Sequence, residues 1–272
     1  MNPLRLFLSN HPNFRPFHTP VSSQPIGRAV HLKHSIHMKS REDSRPARLK
    51  LLHTTSLLSG VSETGLTRLA NASRFVIVAK GAFLFYQHDP ADSLYILRSG
   101  EMAVVLASID GREMIIDELK PGDCFGEIAP LASGARTAGA LAREQCEVLE
   151  IEAKVFLDVL NEEPLLARRM LEIATQRLFK SQKRESALAF LDAPARVARI
   201  LLDMDELDQA GEDKGYIVLS QEELARRTGL TRQTVANSLS QWRQRNWILT
   251  GRGRIMLLKR DELRRICEQA LP

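Results

Sequence analysis

At 272 residues the chain is long enough for about two domains with buried cores, taking roughly 150 residues for each. Apolar residues make up 44% and charged residues 26%, ordinary globular values, and its apolar runs fall well short of the roughly 18 residues that a spanning helix needs. An integral helical membrane protein is therefore excluded, and the three scattered cysteines, Cys124, Cys146 and Cys267, exclude a disulfide framework and a four-cysteine metal or iron–sulfur site.

The net charge of +5 divides unevenly. Nine basic residues face two acidic ones over residues 1–50 (+7), 18 face 26 over 51–219 (−8), and nine face two over 220–260 (+7). A short basic block attached to a larger acidic body suits a chain in which one compact region meets a polyanion.

Residues 1–48 hold six of the twelve prolines and five of the seven histidines, with no acid before Glu42 and no sustained periodicity. They predict a disordered basic N-terminal extension. Leu6-Phe7-Leu8 is too short for a secretory core, the acid-free composition shares features with a transit peptide, and Met38 offers a second start. His31, His34 and His37 read as solvated side chains rather than metal ligands.

From 51 to 70 the pattern is helical. From 75 to 151 it becomes short β-rich runs (75–78, 83–86, 94–97, 102–106, 114–116 and 148–151) separated by the turn formers Lys80-Gly81, Asp89-Pro90, Ser99-Gly100, Asp110-Gly111 and Pro121-Gly122. Short strands at about ten-residue spacing predict a roll or sandwich over residues 49–160. Asn161 reads as an N-cap, with Glu162 and Glu163 in the first turn and Pro164 just inside, opening one long helix over 161–191. Leu171, Ala174, Leu178, Ser181, Glu185 and Leu188 repeat at alternating spacings of three and four, a seam for a matching helix, and predict a parallel homodimer. Asp192 caps a further helix with Pro194 in its first turn, making 191–193 a hinge before a domain over 192–272.

Within that domain Ser220 and Glu223 form a capping box, Leu224-Ala225 gives an inward face, Gly229 permits a tight turn, and Thr231 caps a second helix packed through Val235 and Leu239. This is a helix-turn-helix. Arg232, Gln233 and Asn237 are types that reach base edges, with Thr231 and Thr234 beside them. Arg252 and Arg254, in Thr250-Gly251-Arg252-Gly253-Arg254, predict a wing touching phosphates. Trp242 and Trp247 are expected to anchor the small core rather than to stack on bases.

The roll carries Phe125-Gly126-Glu127-Ile128-Ala129-Pro130-Leu131-Ala132-Ser133-Gly134-Ala135-Arg136-Thr137-Ala138. A cyclic nucleotide needs a cation for its phosphate, backbone N–H donors and an acceptor for its ribose hydroxyl. Arg136, the Gly126 and Thr137 backbones, and Glu127 suit those tasks. The same residues also suit a structural Arg–Glu pair closing a loop.

From about Leu51 to Leu271 the order of roll, Gly-Glu…Arg-Thr-Ala cassette, long helix, Ala189-Phe190-Leu191-Asp192 and winged helix-turn-helix resembles the cyclic-AMP receptor protein and fumarate-nitrate regulator (Crp/Fnr) family. The resemblance implies an α+β fold with a cyclic-nucleotide-binding-type β-roll, a dimerisation helix and a C-terminal winged helix-turn-helix. It implies a cytoplasmic homodimer bound to a palindromic operator, with RNA polymerase as a further partner and no membrane. A cyclic nucleotide, cAMP ahead of cGMP, is the implied effector, with no metal or haem. Glu127 then takes the ribose hydroxyl and Arg136 the phosphate, Arg177 matches an arginine of that branch, and Ser181 stands where a threonine meets the adenine amino group. Gln182 replaces a second hydroxyl reaching across the dimer, Pro130 replaces an aliphatic residue, and Gln233 and Asn237 replace a glutamate and an arginine. The iron–sulfur branch has an N-terminal cysteine cluster, whereas no cysteine precedes Cys124 here, and His88 reads as a solvated turn residue rather than a haem ligand. No catalytic constellation supports an enzyme. Two alternatives stay open: a roll that binds no nucleotide, and a cyclic-nucleotide-binding regulatory subunit without DNA binding.

Overall fold

Turn formers between apolar runs fold the first half of the chain into two antiparallel sheets that share an apolar interior. The computed structural model describes residues 38–39, 42–132, 134–208 and 215–269; the extension over 1–37, with His31, His34 and His37, lies outside the described residues. One sheet has the order β1 (Met38–Lys39), β2 (Ser73–Val78), β9 (Cys146–Glu152), β4 (Ser93–Ser99), β7 (Cys124–Phe125). The other runs β3 (Phe83–Phe85), β8 (Gly139–Ala142), β5 (Met102–Ala107), β6 (Glu113–Leu119). Side chains alternate across a strand. Tyr95 and Leu97 of β4 therefore join Met102, Phe125 and Val148 in the interior, while Leu94 and Ile96 face the helices. Helices α1 (Arg45–Thr54) and α2 (Glu63–Asn71) cover that outer face with Leu52, Leu66 and Leu69.

Order begins earlier than the composition predicts. β1 pairs with β2 through Met38↔Ile77, and α1 starts at Arg45, inside the segment expected to be disordered up to residue 48. The Ser44 hydroxyl accepts from the Ala47 N–H, and Arg48 donates to the carbonyls of Ala70 and Ser73. A short helix anchored by one arginine and Leu52 carries too little periodicity to show above its basic, proline-rich surroundings.

After α3 (Ile128–Leu131) in the cassette come α4 (Ala153–Glu162) and the 27-residue α5 (Pro164–Phe190). Asn161, expected to open the long helix, belongs to the last turn of α4, and Glu163 is the junction residue with φ −116° and ψ 92°. The buried stripe of Phe156 and Val159 extends α4 beyond Asn161. Pro164 then forces its predecessor out of the helical region and restarts the helix as its first residue. Along α5, Leu166 and Met170 are buried against the roll, whereas Leu171 and Leu178 of the expected seam are 67% and 59% exposed.

Asp192 caps α6 (Ala193–Asp208), its Oδ1 accepting from the Ala195 N–H at 2.9 Å. Helices α7 (Gln221–Thr228), α8 (Arg232–Gln244) and α9 (Arg260–Gln269) and a sheet of order β10 (Ile217–Val218), β12 (Arg254–Leu257), β11 (Ile248–Gly251) complete the winged domain. Leu201, Leu224, Val235, Leu239, Trp242 and Ile255 form its core. Trp242 is fully buried, and Trp247 packs half-buried at the margin beneath the Arg245 guanidinium. Both are thus packing residues.

Candidate functional site

A cavity of about 620 Å³ lies between the roll, α3 and the exposed half of α5. Its wall is mostly apolar, from Phe85, Val104, Ile116, Phe125, Ala140 and Leu178, and it gathers Gly126, Glu127, Arg136, Thr137, Arg177 and Ser181. Residues from 126 to 181 meet there because β7 and α3 carry the start of the cassette, the chain returns through Arg136 into β8, and α5 crosses above both. Gln182, one residue round the helix from Ser181, is exposed and outside the cavity wall.

Arg136 is 3% exposed. Its Nη1 and Nη2 donate to the carbonyls of Gly126 and Ser93 at 2.7 and 2.8 Å, and its guanidinium carbon lies 4.2 Å from the Phe85 ring centre and 5.3 Å from that of Tyr95. Nε makes no hydrogen bond, and no carboxylate pairs with the side chain among the described residues. Gly126 has φ 77°, and a Cβ there would stand 2.8 Å from Arg136 Nη1, so this approach requires glycine. The turn before it helps to hold the arginine: the His88 N–H donates to the Arg136 carbonyl and the Arg136 N–H to that of Asp89. His88 itself is exposed, with φ 72°, consistent with a turn residue.

Glu127, also 3% exposed, pairs through Oε1 with Arg177, whose Nη2 donates to the Cys124 carbonyl at 2.6 Å. Its Oε2 is buried without a hydrogen-bond partner. Burial opposes the charge on Arg177, and Glu127 outweighs it, holding the guanidinium above its ordinary value. Burial likewise pushes the Cys124 thiol up, which keeps it inert and neutral in the core under the covering helices. At the other end, Ser181 donates to Glu185 at 2.9 Å and accepts from Arg184, whose Nη1 donates to the Ile116 carbonyl at 2.8 Å. That carbonyl is free because β6 bulges there: Val104 pairs with Asp117 and Val105 with Ile115, leaving Ile116 unmatched. Phe85, Asp117, Lys180 and Arg184 line the cavity although the sequence reading did not single them out. Only Arg184, one turn beyond Ser181 on the same helix, carried a positional signal.

On the winged domain the Ser220 hydroxyl accepts from the Glu223 N–H, Gly229 closes α7 with φ 67°, and the Thr231 hydroxyl accepts from the Thr234 N–H. Arg232, Gln233 and Asn237 are exposed on α8, and the last two are joined by a 2.9 Å hydrogen bond. Arg252 and Gly253 are the tip of the β11–β12 hairpin, with Arg254 beside them, and a groove between the wing and α8 adds Ser220, Gln221 and Thr250. The +7 block is not all available to a polyanion. Arg226 and Arg227 turn to Glu113 and Glu118 of the roll, and Arg260 pairs with Asp205.

A roll with a ligand-sized cavity, a long helix with one exposed apolar edge, and a winged helix-turn-helix presenting Arg, Gln and Asn define a DNA-binding regulator with an attached β-roll domain. The chain matches the cyclic nucleotide-binding domain over residues 75–163 and the Crp-like helix-turn-helix domain over 195–266. It is 31% identical to the cAMP-activated global transcriptional regulator CRP of Salmonella typhimurium, covering 61% of this chain and 80% of that one. It is 27% identical to the CRP-like cAMP-activated global transcriptional regulator of Mycobacterium tuberculosis, covering 73% and 90%. A CRP-family transcriptional regulator of Thermus thermophilus superposes with a TM-score of 0.58 at 27% identity, over 72% of this chain and 98% of that one. The chain belongs to the Crp/Fnr family of transcription regulators, DNA-binding proteins rather than enzymes. The alternative of a regulatory subunit without DNA binding is set aside by the Crp-like domain.

Proposed function

We propose that this chain is a cytoplasmic homodimeric transcription regulator whose roll binds a cyclic nucleotide, cAMP ahead of cGMP, and whose winged domain binds a palindromic operator and meets RNA polymerase. The observation that carries the effector reading is Arg136: a buried cation with no carboxylate partner among the described residues, at the wall of an apolar cavity that a buried, unpartnered Glu127 oxygen also lines. A buried charge is costly until a counter-charge meets it. The effector supplies one phosphate charge, a ribose hydroxyl and a flat base. Arg136 holds the phosphate, the Gly126 and Thr137 backbones line its approach, Glu127 Oε2 accepts from the hydroxyl, and Arg177 holds that carboxylate in place. Ser181 stands at the base end, at the edge where Leu171, Leu178 and Leu188 await a second α5. Gln182, pointing outward, suits a reach into the partner's pocket. Names of relatives at 27–31% identity support cAMP.

A second reading has one observation in its favour. Two carbonyls and two rings already engage Arg136, as they would in a roll that binds nothing. Calorimetric titration with cAMP and cGMP, native against Arg136→Ala, separates the readings. The effector reading expects binding by the native protein and at least about a 100-fold loss in the variant, as for removal of one partner of a buried charge pair. Absence of heat and of a thermal shift with both ligands would reduce the cassette to a scaffold.

A further inference from the structure

Strand β6 reaches both functional ends of the molecule. Its bulge residues Ile116 and Asp117 line the cavity and are held from α5, by Arg184 on the Ile116 carbonyl and by Lys180 on the Asp117 carboxylate, both at 2.8 Å. Three of its other residues meet the helix-turn-helix, at α7 and at the Gly229 cap that ends it. Glu113 pairs with Arg226, Met114 lies against Gly229, and Glu118 takes a hydrogen bond from Arg227 Nη1 at 3.1 Å and another from Arg143 at 2.9 Å. Arg143 and Arg227 both also pair with Glu223 of α7, closing a four-membered network of two cations and two carboxylates.

This arrangement carries more than surface decoration. Isolated exposed pairs contribute little, but here Arg227 and Glu223 are 16% and 17% exposed and each member has two partners. A strand fixed at successive residues to the pocket wall and to the reading head gives a continuous packed path between them, and close-packed interiors of low compressibility pass strain along such paths.

We propose that β6 links pocket occupancy to the orientation of the reading head, with Glu118 as the positioning residue that acts through Arg227. This rests on the effector reading of the pocket. Coupling between two binding sites is reciprocal, so one factor must appear in both DNA and nucleotide affinities.

The test has two arms on the full-length protein. Hydrogen exchange over α7 and β6 compares wild type, Glu118→Gln, Arg227→Gln and the double variant. The link expects faster exchange in each single variant and, in the double, an increase smaller than the sum of the two. The second arm measures affinity for a duplex selected from random DNA, with and without cAMP or cGMP. Glu118→Gln is expected to cut the wild-type effector ratio at least fivefold, and the conservative Glu118→Asp, which keeps the carboxylate, to retain much of it. Unchanged exchange would show that the ion pairs do not hold the head, and raised exchange with an unchanged effector ratio would leave them merely structural. Either result overturns the proposal. A wild-type ratio of one with both nucleotides would defeat the effector reading instead, and coupling with it, while the exchange arm would still report the ion-pair contact.

Discussion

Arg136 and Arg232 carry the same guanidinium in opposite circumstances. Arg136 is enclosed at 3% exposure against two carbonyls and two aromatic faces, while Arg232 stands exposed at the start of α8. The first is a charge already stripped of water, so a single anion recovers a large, short-range energy there. The second remains hydrated, and its gain on binding comes largely from displacing the counterions of a polyanion. Under the proposed function Arg136 would meet one phosphate from an enclosed site, and Arg232 would meet DNA from a solvated one.

The contrast predicts different responses to salt, and this is the largest effect expected. If the dimer neutralises six to ten phosphates, DNA affinity falls about 10³ to 10⁵-fold between 50 and 200 mM salt. Nucleotide affinity, set by one enclosed charge, should change by less than about tenfold over the same range. Parallel slopes in fluorescence-anisotropy and calorimetric titrations would show that Arg136 meets its ligand as a solvated surface charge. The next effect probes the enclosure itself. Burial pushes the Tyr95 hydroxyl up to about 12, with Glu150 adding to the shift and Arg136 opposing it. Because the folded state holds the proton more tightly than the unfolded chain, this stabilisation is complete below about pH 10 and is lost as pH rises toward 12. Two units correspond to about 3 kcal/mol. Urea unfolding at pH 9 and pH 12 should show that loss, and Tyr95→Phe should remove most of it. An equal loss in the variant would place the titrating group elsewhere.

How much of this was legible in the sequence depended on whether the signal was local. Ser220, Gly229 and Thr231 sit within a dozen residues of one another and fix their turn and caps by backbone chemistry alone, so the helix-turn-helix and its wing read directly. Gly126, Glu127 and Arg136 likewise lie within eleven residues of one another, and the structure gathers all three at one cavity. Partners that meet only through folding gave no such signal. Phe85 lies 51 residues before Arg136, and nothing in Phe83-Leu84-Phe85-Tyr86 marks which ring will cover a guanidinium. Arg226 and Arg227 add to the charge of the basic block, and only the docking of α7 on β6 reveals their carboxylates. The two-residue strands β1, β7 and β10 were too short to show any period. Asn161 failed for a related reason: a local cap signal was overridden by a buried stripe belonging to the helix before it.

The smallest effect concerns the reading helix, where exposure makes each contact worth less than one in the cavity. Arg232 has no carboxylate partner among the described residues and is free to make a bidentate contact with a guanine edge. Gln233 and Asn237 are already paired with each other, so using either on an adenine edge exchanges one hydrogen bond for another. Arg232→Ala should therefore cost about 1–3 kcal/mol on the selected duplex and relax preference at one base pair per half-site. Gln233→Ala should cost about 1 kcal/mol or less, because it removes a contact whose donor was not idle beforehand. Neither change should move nucleotide affinity in the absence of DNA, since both side chains lie outside the cavity wall. Binding of each variant to a panel of single-base operator variants decides the matter. If Gln233→Ala proved costlier than Arg232→Ala, the Gln233–Asn237 bond would be a pre-set reading geometry rather than a competitor for the bases, and the amides rather than the arginine would set the operator.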